Sequence, residues 1–316
     1  MEGAFLLVDG AVRRLNLEEA AAYRGSGFLW VHLEGREEAD LSYLKVQQDI
    51  PDVAAHALAA TETRPRCDRI DEGAIVNLRG PGDLDPEDSD RLVSIRFWVG
   101  RERVTSLSRR RLGATSDVIA LMAAGRVLDS GDLVAAFART ISKQLDPEVA
   151  ALGDELDECE TDLEPRSVYG LRSRIARIRS QAIGYRRFVA PDRDALVTLA
   201  QLEFDWLADD DRLHIREAAD RFARMTEELE AVRERAALLH EQLTDMRGEL
   251  IETRALLVAI VALIFLPLTF ITGLFGMNVP GIPLAQEAHA FWYITAFCII
   301  VALVTAAYFR VRRWTR

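Results

Sequence analysis

Over roughly the first hundred residues the apolar positions come in short runs rich in β-branched and aromatic side chains. FLLVDG (5–10), GFLWVHL (27–33), GAIVNLRG (73–80), LVSIRFWVG (92–100) and RVTSLS (103–108), with turn formers between them, predict β-strands. DLSYLKVQQDIPDVAAHALAA (40–60) predicts a helix broken or restarted at Pro51. From about residue 115 the period becomes helical and stays so. TSDVIALMAAG (115–125) and SGDLVAAFARTISKQL (130–145) open with Ser, Thr and Asp capping signals. GDELDECETDLE (153–164), dense in acids, precedes the arginine-rich LRSRIARIRS (171–180). That order predicts complementary charges on antiparallel helices more readily than a cation trap.

The next change is one of length. APDRD (190–194) predicts a break, followed by a short helix to Trp206, and Asp209–Asp211 can cap another. From Asp211 no proline occurs until Pro267, and the only glycine is Gly248. Phe222, Met225, Leu229, Val232, Ala236, Leu239, Leu243, Met246 and Leu250 follow 3/4 spacing, as in a helix packed along one seam. At 1.5 Å per residue such a stalk is about 80 Å long, and its pattern runs without interruption into an apolar stretch.

Two stretches then lack any charge, residues 255–275 and 291–309. Each is about 30 Å long as a helix, the thickness of the hydrocarbon core of a bilayer. Trp292, Tyr293, Tyr308 and Trp314 flank the second, as interfacial aromatics do. The connection is short, so both outer flanks lie on one side. Arg254 and the arginines of RVRRWTR mark that side as cytoplasmic, giving an N-in, C-in hairpin. The expected organisation is an α+β cytosolic domain (1–200), a long stalk helix (201–254) and a transmembrane helix (255–275). An external loop (276–290), a second transmembrane helix (291–309) and a basic tail (310–316) complete it.

Charge sharpens this picture. The formal net charge is −11, but residues 255–316 carry +3, leaving −14 on the remainder. An acidic body argues against nucleic-acid binding and suits attraction of cations. Cys67, Cys159 and Cys298 are too far apart for a CxxC pair and odd in number, which points away from a disulfide framework. His32, His56, His214, His240 and His289 never pair at metal-ligand spacing and are expected to be ordinary surface or core histidines. The acidic loop GPGDLDPEDSD (80–90), with Asp83, Asp85, Glu87, Asp88 and Asp90, is expected to be a solvated hairpin connection. MEGAFLLVDGAVRRLN has too short an apolar run and no basic n-region for a signal peptide. No nucleophile–base constellation or phosphate-binding glycine loop appears, so the chain is not expected to be an enzyme and needs no cofactor.

Two helices cannot enclose an aqueous path, so a transport role requires several copies of the chain. On the first apolar helix a heptad-spaced stripe contains Glu252, Ala255, Ala259, Ala262, Leu266, Thr269 and Gly273. Mostly small residues of this kind serve either close helix packing or the lining of a narrow pore, with Leu266 as an apolar constriction. Both readings stay open from spacing alone. ITGLFGMNVPGIP (271–283) follows, an uncharged turn with glycines and prolines that stop the helix. Glu287 and His289 beside it are the titratable groups of the far mouth.

Gly276-Met277-Asn278 matches the GMN signature of the CorA superfamily of divalent-cation transporters. LIFLPLTFITGLF (263–275), the short loop, the second span and the basic tail resemble that family as well. VPGIP (279–283) resembles the corresponding turn of the ZntB-type zinc-transporter branch, as do ETRPRC (62–67), NLRG (77–80) and VTSLSRRR (104–111). The resemblance implies a homopentameric funnel in a bacterial inner membrane, with zinc or another divalent cation as cargo. It makes Asn278, held by Gly276 and Met277, the selectivity ring that contacts a hydrated ion through its outer sphere. It also puts Thr269, Leu266, Val258, Ala255 and Glu252 on pore-lining positions. CorA-type channels usually carry Met at the position of Leu266 and Asn at that of Glu252. The alternatives are a CorA-like magnesium or cobalt channel and a membrane-anchored coiled-coil sensor or scaffold without a pore.

Overall fold

The computed structural model describes residues 3–35, 42–44, 47, 49–61, 64–82, 92–164, 168–277, 279, 281–283 and 287–313. The five acids of the 80–90 loop and Asn278 lie outside the described residues. The chain divides into two compact units, residues 1–163 with 169–240, and residues 164–168 with 241–316.

The first unit is built on a seven-stranded sheet of order β2-β1-β3-β7-β6-β5-β4. Its strands are β1 (Gly3–Val8), β2 (Ala11–Leu15), β3 (Phe28–Leu33), β4 (Arg66–Ile70), β5 (Gly73–Pro81), β6 (Leu92–Val99) and β7 (Arg103–Leu107). Interior β3 pairs parallel to β7 and antiparallel to β1. Both of its faces are covered, which is why FLWVHL is apolar almost throughout rather than alternating. Leu29, Val31 and Leu33 enter a core with α1 (Leu17–Ala22) and α2 (Asp52–Ala59). Trp30 points the other way, stacks on Phe5 at 5.1 Å and meets the edge of Phe137 at 5.6 Å. Phe97 completes that cluster, 5.0 Å from Phe137. The β1–β2 hairpin turns on Asp9 and Gly10, whose positive φ angles (48° and 76°) suit the twist of a two-residue connection.

Two strands, β2 and β4, are additions to the elements expected from the sequence. Both are sheet edges, and AVRRL and RCDRI expose most of their side chains, so little apolar alternation marks them.

Helices α3 (Gly113–Ala123), α4 (Ser130–Thr161), α5 (Val168–Gln201) and α6 (Asp209–Phe275) follow. The expected break at APDRD does not occur, since α5 runs through Pro191 to Gln201. Proline removes one backbone donor, and tertiary packing offsets that loss: Val189, Ala195, Leu196 and Leu199 are buried, and so is Asp192. The expected short helix to Trp206 ends instead at Gln201, and Phe204 and Trp206 stack at 4.8 Å in the turn beyond it.

The acidic and basic runs do meet. Arg174 pairs with Glu155 at 3.1 Å and with Glu158, and Arg177 reaches Glu155 at 2.5 Å. Tyr185 donates to Glu148 farther along, so the partners run in opposite chain directions and α4 and α5 are antiparallel. On α6, Arg235 bridges Asp157 (2.5 Å) and Glu160 (2.8 Å). The seam of α6 is buried from Phe222 through Leu243, with Met246 and Leu250 half-buried beyond it.

In the second unit the end of α6 and α7 (Ala290–Arg313) are long and apolar enough to cross a membrane. Their large side chains face outward. Val258, Leu266, Phe270, Phe291 and Val304 are each more than 60% exposed. Such a surface is far larger than the apolar patches tolerated in water and calls for lipid or other copies of the chain.

Candidate ion-conduction site

Pro267 lacks an N–H, so the carbonyl of Leu263 has no amide four residues on. The helix carries on for two more turns and ends at Phe275. Its closing hydrogen bonds run from Gly276 N–H to the Thr272 carbonyl (2.9 Å) and from Met277 N–H to that of Leu274 (3.4 Å). Gly276 is tightly seated there, since a Cβ would stand 3.1 Å from the Thr272 oxygen. Farther along the turn Gly281 adopts φ +101°, a conformation closed to ordinary side chains.

Glu252, Ala255, Val258, Ala259, Ala262, Leu266, Thr269 and Gly273 all lie on α6, and all are exposed in the single chain. Leu266, at 76%, is the most open of the large apolar side chains among the described residues. The Thr269 hydroxyl donates to the Phe265 carbonyl at 2.8 Å. Its proton is thus committed to the helix and its lone pairs face outward, the arrangement that accepts a hydrogen bond from a hydrated cation. Glu287 and His289 precede α7. Their carbonyls accept from Ala290 (3.1 Å) and from Trp292 (3.0 Å), so both take part in starting that helix.

Neither His32 nor His56 is set up as a zinc site: His32 is buried on β3 against Ser106 (2.8 Å) and Ser108 (3.4 Å), and His56 bonds the Asp52 carbonyl at 2.7 Å. Burial pushes the Cys67 thiol up to about 12, with Asp68 adding to the effect, so it stays protonated and is a poor ligand and nucleophile. Cys159 is buried and is raised mainly by that burial.

Two features of the first unit escape sequence reasoning. Asp129, Asp132 and Asp211 each bring a carboxylate oxygen within 4.8 Å of the others. Asp129 caps α4 by accepting from Asp132 N–H (2.9 Å). Asp132 accepts from Leu128 N–H (2.9 Å), and Asp211 from Ala208 N–H (3.0 Å). The capping chemistry of two helix starts therefore accounts for all three, and their crowding has a cost. Burial foremost, then Asp129, pushes Asp211 up to about 6. Burial likewise raises Asp132.

The second feature is Asp192, fully buried, whose Oδ1 accepts the Arg79 N–H at 3.0 Å. Burial holds this carboxyl well above the usual range, against the pull of that bond and of the Arg79 charge. The Arg79 guanidinium lies 3.8 Å from the ring centre of Phe188 and donates to the Leu92 carbonyl at 3.0 Å. The only sequence signal for either feature was a capping Asp and an Asp after proline, both common.

Against known proteins, the family described as CorA-like Mg2+ transporter protein matches residues 25–313. The zinc transport protein ZntB of Pectobacterium atrosepticum is 30% identical over 276 residues, covering 87% of this chain and 83% of that one. The structure of the full-length CmaX protein superposes with a TM-score of 0.79 at 30% identity, covering 99% of this chain and 98% of the other. The complete structure of the CorA magnesium transporter from Methanocaldococcus jannaschii gives a TM-score of 0.80. At 16% identity, and with 98% and 97% coverage, it speaks to the fold.

Proposed function

This chain belongs to the CorA-like Mg2+ transporter family, and from that premise we propose that it carries zinc across the bacterial inner membrane. Membership makes it a divalent-cation transporter rather than an enzyme, as the sequence reading expects. The observation that carries the choice of zinc is the 30% identity, over 87% of the chain, to a zinc transport protein. The VPGIP turn supports it.

In this reading the chain assembles with copies of itself, as a homopentamer, around the α6 stripe, because two membrane helices cannot enclose a path alone. Small divalent ions shed water reluctantly. A ring of Asn278 amides accepts hydrogen bonds from the hydrated ion without trapping it, as a ring of carboxylates would. Thr269, with its lone pairs outward, supplies a second polar ring. Leu266 forms the apolar constriction, and Glu252 concentrates cations at the cytoplasmic end. Both termini lie in the cytoplasm, and Glu287 and His289 stand at the outer mouth. The membrane potential contributes about 2.3 kcal/mol per charge per 100 mV, twice that for a divalent ion, and favours inward movement.

The stripe holds neither His nor Cys, the ligands zinc prefers. That favours passage of a hydrated ion, and it makes a magnesium or cobalt channel the second reading. Liposomes containing the purified chain, loaded with metal-sensitive dyes, decide between them. Zinc entering faster than magnesium and cobalt is the expected result. Good magnesium flux with poor zinc flux overturns the choice of zinc, and no flux of any divalent ion points to a scaffold.

A further inference from the structure

A groove of about 770 Å³ opens on the first unit between α3, α4 and the first turns of α6. Its apolar lining is Ala120 and Leu121 from α3, Ala124 just past the end of that helix, and Ala135 and Ala136 from α4. Four of these five side chains stop at Cβ, which leaves room beside them. Its walls carry Arg126, Arg139, Lys143 and Arg221, a concentration of positive charge in a chain of formal charge −11.

On the neighbouring helices Arg174, Arg177 and Arg235 are committed to carboxylates, while Arg172, Arg179, Arg216 and Arg224 stand singly among the described residues. What marks the groove is that several unpaired cations share one cavity. Arg221 pairs with Glu217 at 2.9 Å, but Arg126, Arg139 and Lys143 make no ion pair or side-chain hydrogen bond with any described residue. The two acids of the lining are already engaged. Asp117 accepts from Gln144 at 2.9 Å and Asp132 from the Leu128 N–H at 2.9 Å.

Three uncommitted cations beside this alanine-rich lining fit a ligand with a polyanionic end and a planar apolar end. Arginine's planar fork matches phosphate oxygens, and lysine adds a mobile point charge. The volume lies in the range of small-molecule sites. From this we infer that the groove binds a nucleoside polyphosphate, its phosphates held by Arg126, Arg139 and Lys143 and its base laid on the alanines. Such a ligand would report the energy state of the cell to the transporter.

Calorimetric titration of the full-length protein in detergent and chelator tests this, with ATP, pyrophosphate and adenosine as probes. ATP binds saturably, and both adenosine and pyrophosphate bind at least about tenfold more weakly, since each lacks half of the recognised groups. Arg139→Gln combined with Lys143→Gln weakens ATP by at least about tenfold, the loss expected for charged hydrogen bonds. Ala120→Trp, at an exposed position, fills the space beside the alanines and abolishes binding, while Arg193→Gln, outside the groove, leaves it unchanged. Melting curves matching the wild type certify that the variants fold. No saturable heat with ATP up to about 1 mM, a binding weaker than small-molecule sites use, overturns the proposal. So does ATP binding unaltered in the double variant, or pyrophosphate binding as tightly as ATP. The readout is binding alone, so its failure leaves the zinc-transport reading untouched.

Discussion

Replacing Asp211 with Asn tests the electrostatics of the three converging carboxylates. Asp211 is 3% exposed, and its ordinary value of 3.8 is pushed up to about 6 in the fold by burial and by Asp129. The folded state therefore holds the proton more tightly than the unfolded chain does. That stabilising contribution is complete below about pH 4 and is lost as the pH rises through about 6. Above that range the ionised carboxylate is disfavoured in the fold by at most about 3 kcal/mol, at 1.36 kcal/mol for each tenfold change in proton affinity. Asparagine keeps an oxygen for the Ala208 N–H, 3.0 Å away in the wild type, and removes the charge. At pH 8 Asp211→Asn should be about 1–3 kcal/mol more stable than the wild type, and at pH 4 the advantage should vanish. Urea unfolding followed by tryptophan fluorescence measures both, with a chelator present so that stray divalent ions do not neutralise the three carboxylates. A variant less stable at pH 8, or a gain equal at the two pH values, refutes the reasoning.

Substitutions at two further positions probe the packing that holds the first unit together. Phe137→Ala removes the ring that joins Trp30 and Phe97 at 5.6 and 5.0 Å, and should cost about 3–5 kcal/mol in the same unfolding assay. Asp192→Ala leaves the Arg79 N–H without its acceptor and should cost about 1–3 kcal/mol. Asp192→Asn, which keeps an acceptor in place, should cost clearly less. Equal losses for the two would mean that volume rather than the hydrogen bond matters at this position.

How far the sequence was legible depends on the range of the forces involved. β3 and the α6 seam were legible because burial imposes an apolar pattern on neighbouring residues. Leu29, Val31 and Leu33 on one face, and Phe222 through Leu243 along another, carry that imprint. β2 and β4 were not, because an edge strand is held by its backbone and leaves its side chains free to be polar. Helix α5 crosses Pro191 because tertiary burial outweighs a local preference, which a local reading cannot weigh. The meeting of Asp129 and Asp132 with Asp211 joins the starts of two helices, and nothing near either in sequence announces it. The stripe proposed to line the ion path is a different case. Its spacing and the GMN turn were plain in the sequence, whereas the lining of a path is proposed for several copies together and cannot be read from one.

Zinc flux through liposomes containing wild-type chain or Asn278→Ala tests the central claim most directly. With the amide ring recognising the hydrated ion, the wild type accumulates zinc under an inside-negative potential. Asn278→Ala, folded and inserted to the same extent, loses at least about tenfold of that rate, as expected when a charge-assisted hydrogen-bond set is removed. Zinc flux undiminished in Asn278→Ala contradicts the account.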